Sequence, residues 1–231
     1  HLIPNWNYDG SSTGQAKGTD SEVTIIPRAM FRNPFLRNGL LVMCDTYDSK
    51  GIPLPSNTRY IANEIFNKNL DEKPWFGLEQ EYFIQDKGFE DIIKFSQPQG
   101  NYYCGVGNEN AIYRKIAELH LKHCISAGIN IAGMNAEVAP QQWEYQIGPV
   151  TALEGSDQLW VSRYLLQRVA EKYNVKVSLH PKPLKGDWNG TGCHVNFSTK
   201  EMREEGGIEL IKEAMPKLFL NGFCFCNPDI P

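Results

Sequence analysis

Four glutamates and one histidine stand out because their spacing could bring several metal ligands together. Glu79 and Glu81 lie two residues apart in a strand-like segment, so their side chains point to the same face of a strand. Glu144 follows the same alternation within residues 141–146, Glu137 precedes it by seven residues, and His194 lies in a third strand-like segment. Several carboxylates with one imidazole and no thiolate suit Mg²⁺ or Mn²⁺, so the set predicts a divalent metal site.

A plainer interpretation is open for each glutamate taken alone. Glutamate is mostly exposed in folded proteins, and each of these could lie on a solvated strand face opposite the core. Aromatic neighbours weigh against this for the set, because an ionised carboxylate beside them needs a cation or a hydrogen-bond network. Those neighbours include Trp75, Phe76, Tyr82, Trp143 and Tyr145.

Phosphate-binding motifs are weak by comparison. The chain has no Walker A lysine loop, and residues 105–110 begin like a dinucleotide fingerprint but lack its third glycine, so they predict a turn. Residues 189–192, which read Asn-Gly-Thr-Gly, lead directly into the His194 strand. They form either a plain turn or a loop whose backbone can approach a ligand closely.

The elements that must position these residues mix helices and strands without strict alternation. Apolar residues at helical spacing predict a helix capped by Ser56 or Asn57, and further helices near residues 110–127, 156–173 and 207–218, with Pro216 expected to bend or shorten the last. Strand-like patterns occupy residues 22–27, 40–47, 76–83, 128–138, 143–147, 175–179 and 193–198, and residues up to about 20 are predicted as loop. This arrangement predicts an α+β fold rather than a doubly wound parallel sheet, with a candidate domain boundary at Pro53 and Pro55.

Composition narrows the classes of function. The 231 residues carry 23 Lys and Arg against 27 Asp and Glu, a net charge of −4 that gives no electrostatic reason to expect nucleic acid or an anionic membrane surface. The longest clean apolar run, residues 40–44, is far short of the roughly 20 residues that span a bilayer, so no membrane segment is expected.

The six cysteines form no Cys-x-x-Cys unit, which favours free thiols in a reducing compartment. The chain starts with histidine and has no signal peptide, so we expect that the start of a longer chain is missing.

At these same residues the sequence resembles glutamine synthetase of the eukaryotic type, and most closely its plant forms. Residues 6–16 and 20–22 match the family's N-terminal signature, residues 182–198 match its nucleotide-site signature, and blocks at 74–82, 102–107 and 135–149 fall in the family's order. The resemblance covers about residues 5–218. It implies the C-terminal part of a β-grasp domain over residues 1–52, then a catalytic domain over residues 57–231 that is incomplete at its C-terminus and consists mainly of antiparallel sheet flanked by helices.

The reaction implied by the resemblance is ATP-dependent ligation of ammonia to L-glutamate through γ-glutamyl phosphate, giving glutamine, ADP and phosphate. ATP would be a substrate, and two or more Mg²⁺ or Mn²⁺ ions would bind at each site. By position, Glu81, Glu137 and Glu144 look like ligands of one ion, and Glu144 also counts as catalytic. Glu79 and His194 look like ligands of the second ion, nearer the phosphates.

Substrate contacts also carry over by position. Asp9 resembles the carboxylate that helps bind and deprotonate ammonium in a neighbouring subunit's site, which implies homo-oligomeric rings; without the match it reads as a turn aspartate before glycine. The glutamate-binding segment corresponds to Asp187, Trp188, Asn189 and Gly190. The nucleotide contacts correspond to Glu79, Glu144, Tyr145, Gln146, Ile147, Gly148, Pro149, Asn196, Phe197 and Ser198.

Some segments depart from the family pattern. Residues 85–96 are shorter than the corresponding loop, Asn101 replaces a usual proline, residues 113–115 replace a Gly-Arg-Asp-like turn, and residues 139–141 replace Met-Pro-Gly or Met-Pro-Ala. After about Leu218 the chain no longer resembles the family, whose longer chain supplies the arginines that bind glutamate and phosphate.

These departures leave alternatives open. Because such arginines stabilise the transferring phosphoryl group, we expect little or no turnover from this chain alone. The first alternative is a truncated non-catalytic relative that binds metal or nucleotide, or that associates with intact subunits. A related carboxylate–amine ligase or guanidino kinase is a weaker one. The expected location is the cytoplasm, with a plastid left open because a transit peptide would precede residue 1.

Overall fold

Two antiparallel sheets and five helices make up residues 3–220, the part of the chain that the computed structural model describes. The strands are β1 (Trp6–Asp9), β2 (Glu22–Arg32), β3 (Leu40–Tyr47), β4 (Trp75–Gln85), β5 (Ile131–Ala136), β6 (Gln142–Thr151), β7 (Lys176–Ser178) and β8 (Cys193–Ser198). The helices are α1 (Thr58–Asn67), α2 (Phe89–Phe95), α3 (Arg114–Ala127), α4 (Ala152–Lys172) and α5 (Gly207–Leu220). The α+β prediction is confirmed.

The small sheet has the order β1-β2-β3 and is built from residues 6–47. The prediction of loop up to residue 20 was wrong for β1, which pairs with β2 from Trp6 opposite Ile25 to Asp9 opposite Glu22. The residues rich in Gly, Ser and Thr begin only after β1 and form a short 3-10 helix, Gly10–Thr13. Strand β2 also runs five residues past its predicted end at residue 27, with a register shift between Pro27 and Ala29 that accommodates the proline.

The large sheet has the order β5-β6-β4-β7, and β8 also pairs with β4. Strand β4 is central: one edge pairs with β6, and the other pairs with β8 along its first half and with β7 at its end. Helices α3 and α4 cover one face, where alternate residues such as Tyr82, Trp143 and Tyr145 join the main hydrophobic core. The period-two alternation therefore turns the intervening residues to the opposite face.

Several helix boundaries differ from the predicted ones. Helix α3 begins at Arg114 rather than near residue 110, because Tyr113 before it has a left-handed φ of 66° that no helix can continue through. Helix α4 begins at Ala152, four residues before the predicted start. Helix α5 continues through Pro216 to Leu220, so the proline does not shorten it, and the short helix α2 was not predicted. Asn57 caps α1 as expected, accepting a hydrogen bond from the N–H of Tyr60.

Cysteines and membrane segments were also predicted from the sequence. The described cysteines Cys44, Cys104, Cys124 and Cys193 are free. Cys224, Cys226 and the unmatched tail from residue 221 onward lie outside the described residues. Within residues 3–220, no helix combines the length and the apolar character needed to cross a bilayer.

Candidate active site

Three carboxylates converge on the face of the large sheet that α3 and α4 leave uncovered. One ligand oxygen from each of Glu81, Glu137 and Glu144 lies within 4.8 Å of the others. Glu81 on β4 pairs directly with Glu144 on β6, so the register of the sheet places these two side chains together. Glu137 comes from the turn between β5 and β6, which folds back so that its N–H donates to the carbonyl oxygen of Gln142 at 2.9 Å.

Each of the three carboxylates is held in place by a hydrogen-bond donor. The donors are the Gly192 N–H for Glu81 (2.6 Å), Gln146 Nε2 for Glu144 (2.5 Å), and Asn135 Nδ2 and the Val138 N–H for Glu137 (3.1 and 3.0 Å). Neutral donors orient the oxygens without cancelling their charge. The cluster is therefore preorganised, and these donors leave its negative charge uncompensated.

The electrostatics of this cluster favour a bound cation. None of the ion pairs among residues 3–220 involves Glu81, Glu137 or Glu144. Burial raises the pKa of Glu137 to about 7, opposed by the Val138 N–H and reinforced by a hydrogen bond with Glu144. Burial also raises the pKa of Glu81, against the hydrogen bond from Gly192. Like charges held this close in a half-buried site need a counter-charge, and a divalent cation would supply one.

Glu79 and His194 form a second, more exposed pair next to the cluster. They are directly opposite each other on β4 and β8, with His194 Nδ1 3.7 Å from Glu79 Oε2 and side chains 68% and 34% exposed, respectively. Asn196 Nδ2 donates to the other oxygen of Glu79. A Cβ placed on Gly192 would lie 3.5 Å from His194 Nε2 and 3.7 Å from Glu81 Oε2, so the imidazole and the cluster flank the same glycine.

A cavity of about 320 Å³ opens beside Glu79, between β4, β6 and β8. Eight of the predicted nucleotide contacts line it: Glu79, Gln146, Ile147, Gly148, Pro149, Asn196, Phe197 and Ser198. Gly148 has a φ of 115°, and a Cβ there would lie 2.5 Å from the carbonyl oxygen of Phe76, so this rim of the cavity requires glycine. The Tyr145 side chain lies on the other face of the sheet, where its hydroxyl bonds Ser162 Oγ at 2.8 Å, so it does not reach the cavity.

The predicted glutamate-binding segment lies against the turn that carries Glu137. Asn189 and Gly190 are both hydrogen-bonded to the side chain of Gln142. Trp188 packs against a small core of Phe83, Phe89 and Ala139, whereas Asp187 is exposed.

No hydrogen bond among residues 3–220 joins the side chain of Asp9 to the other predicted site residues. Asp9 ends β1 in the small sheet, and its carboxylate accepts hydrogen bonds from the N–H and Oγ of Ser11 at 2.9 and 2.6 Å. These hydrogen bonds lower the pKa of Asp9. Within one chain, then, the side-chain hydrogen bonds of Asp9 stay in its own loop.

Two residues at the site were missed as functional by sequence reasoning. Asn135 lies opposite Glu144 on β5, donates to Glu137, and accepts from Gln146 Nε2 at 2.7 Å. Gln142 joins the Glu137 turn to the loop of residues 189–190. For Gln142, the available signal was the alternation that puts it on the same strand face as Glu144. For Asn135, the signal was a polar residue two positions before Glu137.

The fold and this site together define an α+β protein with a carboxylate cluster suited to divalent cations on an antiparallel sheet. Residues 56–208 match the model of the glutamine synthetase catalytic domain. The chain is 54% identical over 220 residues to a putative glutamine synthetase of Acanthamoeba polyphaga mimivirus, covering 94% of this chain and 62% of that protein. The chain therefore belongs to the glutamine synthetase family.

Other relatives include isozymes from two compartments of plants. Glutamine synthetase cytosolic isozyme 2 of Vitis vinifera is 50% identical over 228 residues, 95% of this chain and 64% of that protein, and chloroplastic glutamine synthetases such as that of Oryza sativa also match. The chain thus spans less than two thirds of the length of these relatives. The solved structure "GmaS/ADP complex-Conformation 1" matches 84% of this chain and 46% of its own, with a TM-score of 0.67 and 19% identity, and so supports the fold alone.

Proposed function

We propose that this chain carries part of the catalytic domain, incomplete at its C-terminus, of a glutamate–ammonia ligase that makes glutamine from L-glutamate, ammonia and ATP. The observation that carries the proposal is the convergence of Glu81, Glu137 and Glu144 within 4.8 Å, next to the cavity beside Glu79. Membership of the glutamine synthetase family supports it. Residues 1–52 would be the end of a β-grasp domain, and the catalytic domain would begin at about residue 57.

The donor set fits a hard divalent cation such as Mg²⁺ or Mn²⁺. All ligand atoms of the cluster are carboxylate oxygens, no thiolate is among them, and burial disfavours their uncompensated charge. Glu81, Glu137 and Glu144 would hold one ion, and Glu79 with His194 would hold a second. Bound there, the ions would supply neutralisation of the charge on the phosphoryl group during transfer.

The remaining residues of the site bind and orient the three substrates. Asn196 and Ser198 would contact the nucleotide in the cavity of about 320 Å³, and Asn189 with Gly190 would hold glutamate. The side-chain carboxylate of glutamate attacks the γ-phosphorus, forming an O–P bond as the bond to ADP breaks. Ammonia then attacks the acyl carbon, a C–N bond forms and phosphate leaves.

Asp9 is proposed to serve the site of a neighbouring subunit. Its ionised carboxylate would bind ammonium and accept the proton that must leave before nitrogen can attack. Within one chain the Asp9 carboxylate makes its hydrogen bonds with serines of its own loop and not with the cluster, which supports an assembly in which two subunits complete each site. We propose homo-oligomeric rings, located in the cytoplasm as in the cytosolic relative.

Phosphate release from ATP tests the reaction directly. The purified chain is assayed with Mg²⁺, omitting glutamate and ammonium in turn. We expect little release from this chain alone, and any release should require both substrates. Release without glutamate would indicate a plain ATPase. No release from folded protein would favour the truncated, non-catalytic alternative for this chain and would leave its membership of the family in place.

Metal binding is measured separately, by titration calorimetry with Mn²⁺. Glu144→Gln removes one charge from the cluster while keeping its shape, and we expect at least about a tenfold loss of affinity. Glu171→Gln on the surface of α4, where Glu171 is 65% exposed, is the matched control and should bind normally. Equal affinities in the two variants would show that the cluster is not the metal site. Metal binding without turnover would favour the non-catalytic relative.

A further inference from the structure

Gln142 lies between the turn that carries Glu137 and the loop of residues 189–192, the two segments that flank the proposed site. It is the first residue of β6, lies two positions before Glu144, and its side chain is buried with only 1% of the residue exposed. A buried primary amide needs hydrogen-bond partners, and those partners identify the segments that the side chain links.

The partners of the Gln142 side chain belong to two separate segments. Its Oε1 accepts from the N–H of Ala139 at 3.2 Å, in the turn that follows Glu137. The same oxygen accepts from Asn189 Nδ2 at 3.1 Å, and its Nε2 donates to the carbonyl oxygen of Gly190 at 2.8 Å. One side chain therefore joins the Glu137 turn to the loop of residues 189–192.

The main chain of Gln142 strengthens the first of these links. Its carbonyl oxygen accepts from the Glu137 N–H at 2.9 Å, and its N–H donates to the carbonyl oxygen of Ala139 at 3.2 Å. The turn is thus fixed to Gln142 by both backbone and side-chain hydrogen bonds.

The loop of residues 189–192 continues back to the carboxylate cluster. The N–H of Gly192 donates to Glu81 Oε2 at 2.6 Å, and the N–H of Glu81 donates to the carbonyl oxygen of Gly192 at 3.0 Å. These hydrogen bonds, together with the chain from Gly190 to Gly192, form a continuous path from the Glu137 turn through Gln142 and the loop to Glu81. Gln142 is the only side chain that links the turn to the loop among the hydrogen bonds of residues 3–220.

We propose that Gln142 is a positioning residue that sets the loop carrying Asn189 and Gly190 at a fixed distance from the metal-binding carboxylates. This inference rests on the proposed function, in which that loop holds glutamate. Gln142 touches neither substrate nor ion in this scheme. It acts by holding the glutamate-binding loop where the side-chain carboxylate of the substrate can meet the phosphoryl group, a placement to which reaction rates are steeply sensitive.

Gln142→Met tests the proposal because methionine keeps much of the volume and removes all three side-chain hydrogen bonds. Gln158→Met is the matched control: Gln158 is also buried, accepts from the N–H of Asn130 at 2.8 Å and donates to Glu154 at 3.0 Å, all outside the site. Both variants should lose stability to a similar extent.

Hydrogen exchange of the amides of Thr191 and Gly192 is the first readout, since both are hydrogen-bonded in the loop. We expect exchange about ten- to a hundredfold faster in Gln142→Met and unchanged in Gln158→Met. Equal exchange in the two variants would overturn the proposal. Should Gln142→Met not fold, Gln142→Glu keeps the shape but places an oxygen, charged when ionised, against the carbonyl oxygen of Gly190, and the same readout decides.

Affinity for glutamate is the second readout and separates the two proposals. We expect Gln142→Met to raise the dissociation constant of glutamate by about tenfold or more, with a smaller effect on Mn²⁺ affinity. If the unaltered chain does not bind glutamate, the proposed function fails while hydrogen exchange still decides the role of Gln142. If glutamate binds equally to both variants, Gln142 has only a structural role.

Discussion

His120 is a buried histidine that the fold keeps neutral. It lies on α3 with Nε2 3.0 Å from the carbonyl oxygen of Ser162 and 3.1 Å from Cys124 Sγ. Burial lowers its pKa from 6.5 to about 4. Because the unfolded chain takes up a proton in this interval and the folded chain does not, stability is fully present above pH 6.5 and is lost as the pH falls towards 4.

The free energy of unfolding should therefore fall by about 3 kcal/mol from this residue alone between those pH values. Urea unfolding at several pH values between 7 and 4 measures it, with His120→Gln as the comparison. Glu137 has a raised pKa of about 7, so its contribution runs the opposite way, being lost as the pH rises. The difference between wild type and variant isolates His120, and parallel pH curves would contradict the prediction.

Gln141 combines two unfavourable features at one position. Its φ is 62°, in the left-handed region, and both polar atoms of its buried side chain lack hydrogen-bond partners among the described residues. Gln141→Gly and Gln141→Ala both remove the unpaired amide, but only glycine is free of strain at this φ. We expect the glycine variant to be the more stable by about 1 kcal/mol in urea unfolding.

The same pair of substitutions at Gln158 provides the control for Gln141. Gln158 lies inside α4, where alanine favours the helix, so here the alanine variant should be more stable than the glycine variant by about 1 kcal/mol. An alanine variant of Gln141 as stable as the glycine variant would show that φ at this turn relaxes freely.

Among the elements, α1 is fixed to both β3 and α4 by a single arginine. Arg59 makes a two-pronged ion pair with Asp157 on α4, at 2.8 and 2.9 Å, and a third contact with Asp45 on β3 at 3.2 Å. The Asp45 side chain is only 3% exposed, and it is shared with Arg28 at 2.7 Å. This network joins the small sheet to the helices of the large one.

Arg59→Met should destabilise the fold by about 3–5 kcal/mol, because it leaves two buried carboxylates short of a partner. Lys212→Met, which breaks an exposed pair with Glu209 on α5, is the matched control and should cost less than about 1 kcal/mol. Urea unfolding of both variants measures the difference. A loss at Arg59 no larger than at Lys212 would mean that solvent reaches Asp45 and Asp157 easily.

The alternation of residues along each segment predicted which side chains share a strand face, but it did not predict which strands pair or in what register. Alternation placed Glu79 with Glu81, and the strand prediction at residues 193–198 was confirmed, because side-chain direction in a strand is a local property. That Glu81 faces Glu144 depends on register between distant segments, which alternation does not fix. Glu137 joins them only through the conformation of residues 137–141, which no periodic pattern describes.

The same distinction explains the errors in the predicted elements. Strand β1 has only four residues and pairs with β2, and so short an alternation of aromatic and polar residues was too brief to predict a strand by itself. Helix α3 starts late because of one left-handed residue, Tyr113. The roles of the site residues remain predictions, since they derive from the family resemblance and not from these patterns.

At the scale of the whole molecule, the proposed assembly predicts that a single chain cannot form a complete active site. Asp9 is in the small sheet and its side-chain hydrogen bonds stay in its own loop, whereas Glu144 is in the cluster of the large sheet. If Asp9 of one subunit serves the cluster of the next, each site is built from two chains. The chain should then sediment as an oligomer, and a monomer would contradict the assembly.

Mixing two inactive variants tests whether sites are shared. Asp9→Asn and Glu144→Gln, dissociated and reassembled in equal amounts, should regain about a quarter of the sites, since each site draws the two residues independently from different subunits. Glu144→Gln mixed with Glu137→Gln is the control, because both residues belong to one subunit's cluster and no combination restores it. Synthetase turnover per assembled chain, expressed as a fraction of the turnover of the unaltered chain reassembled in the same way, measures both mixtures. Recovery in neither mixture, from oligomers shown to contain both variants, would show that Asp9 does not serve the site of a neighbouring subunit.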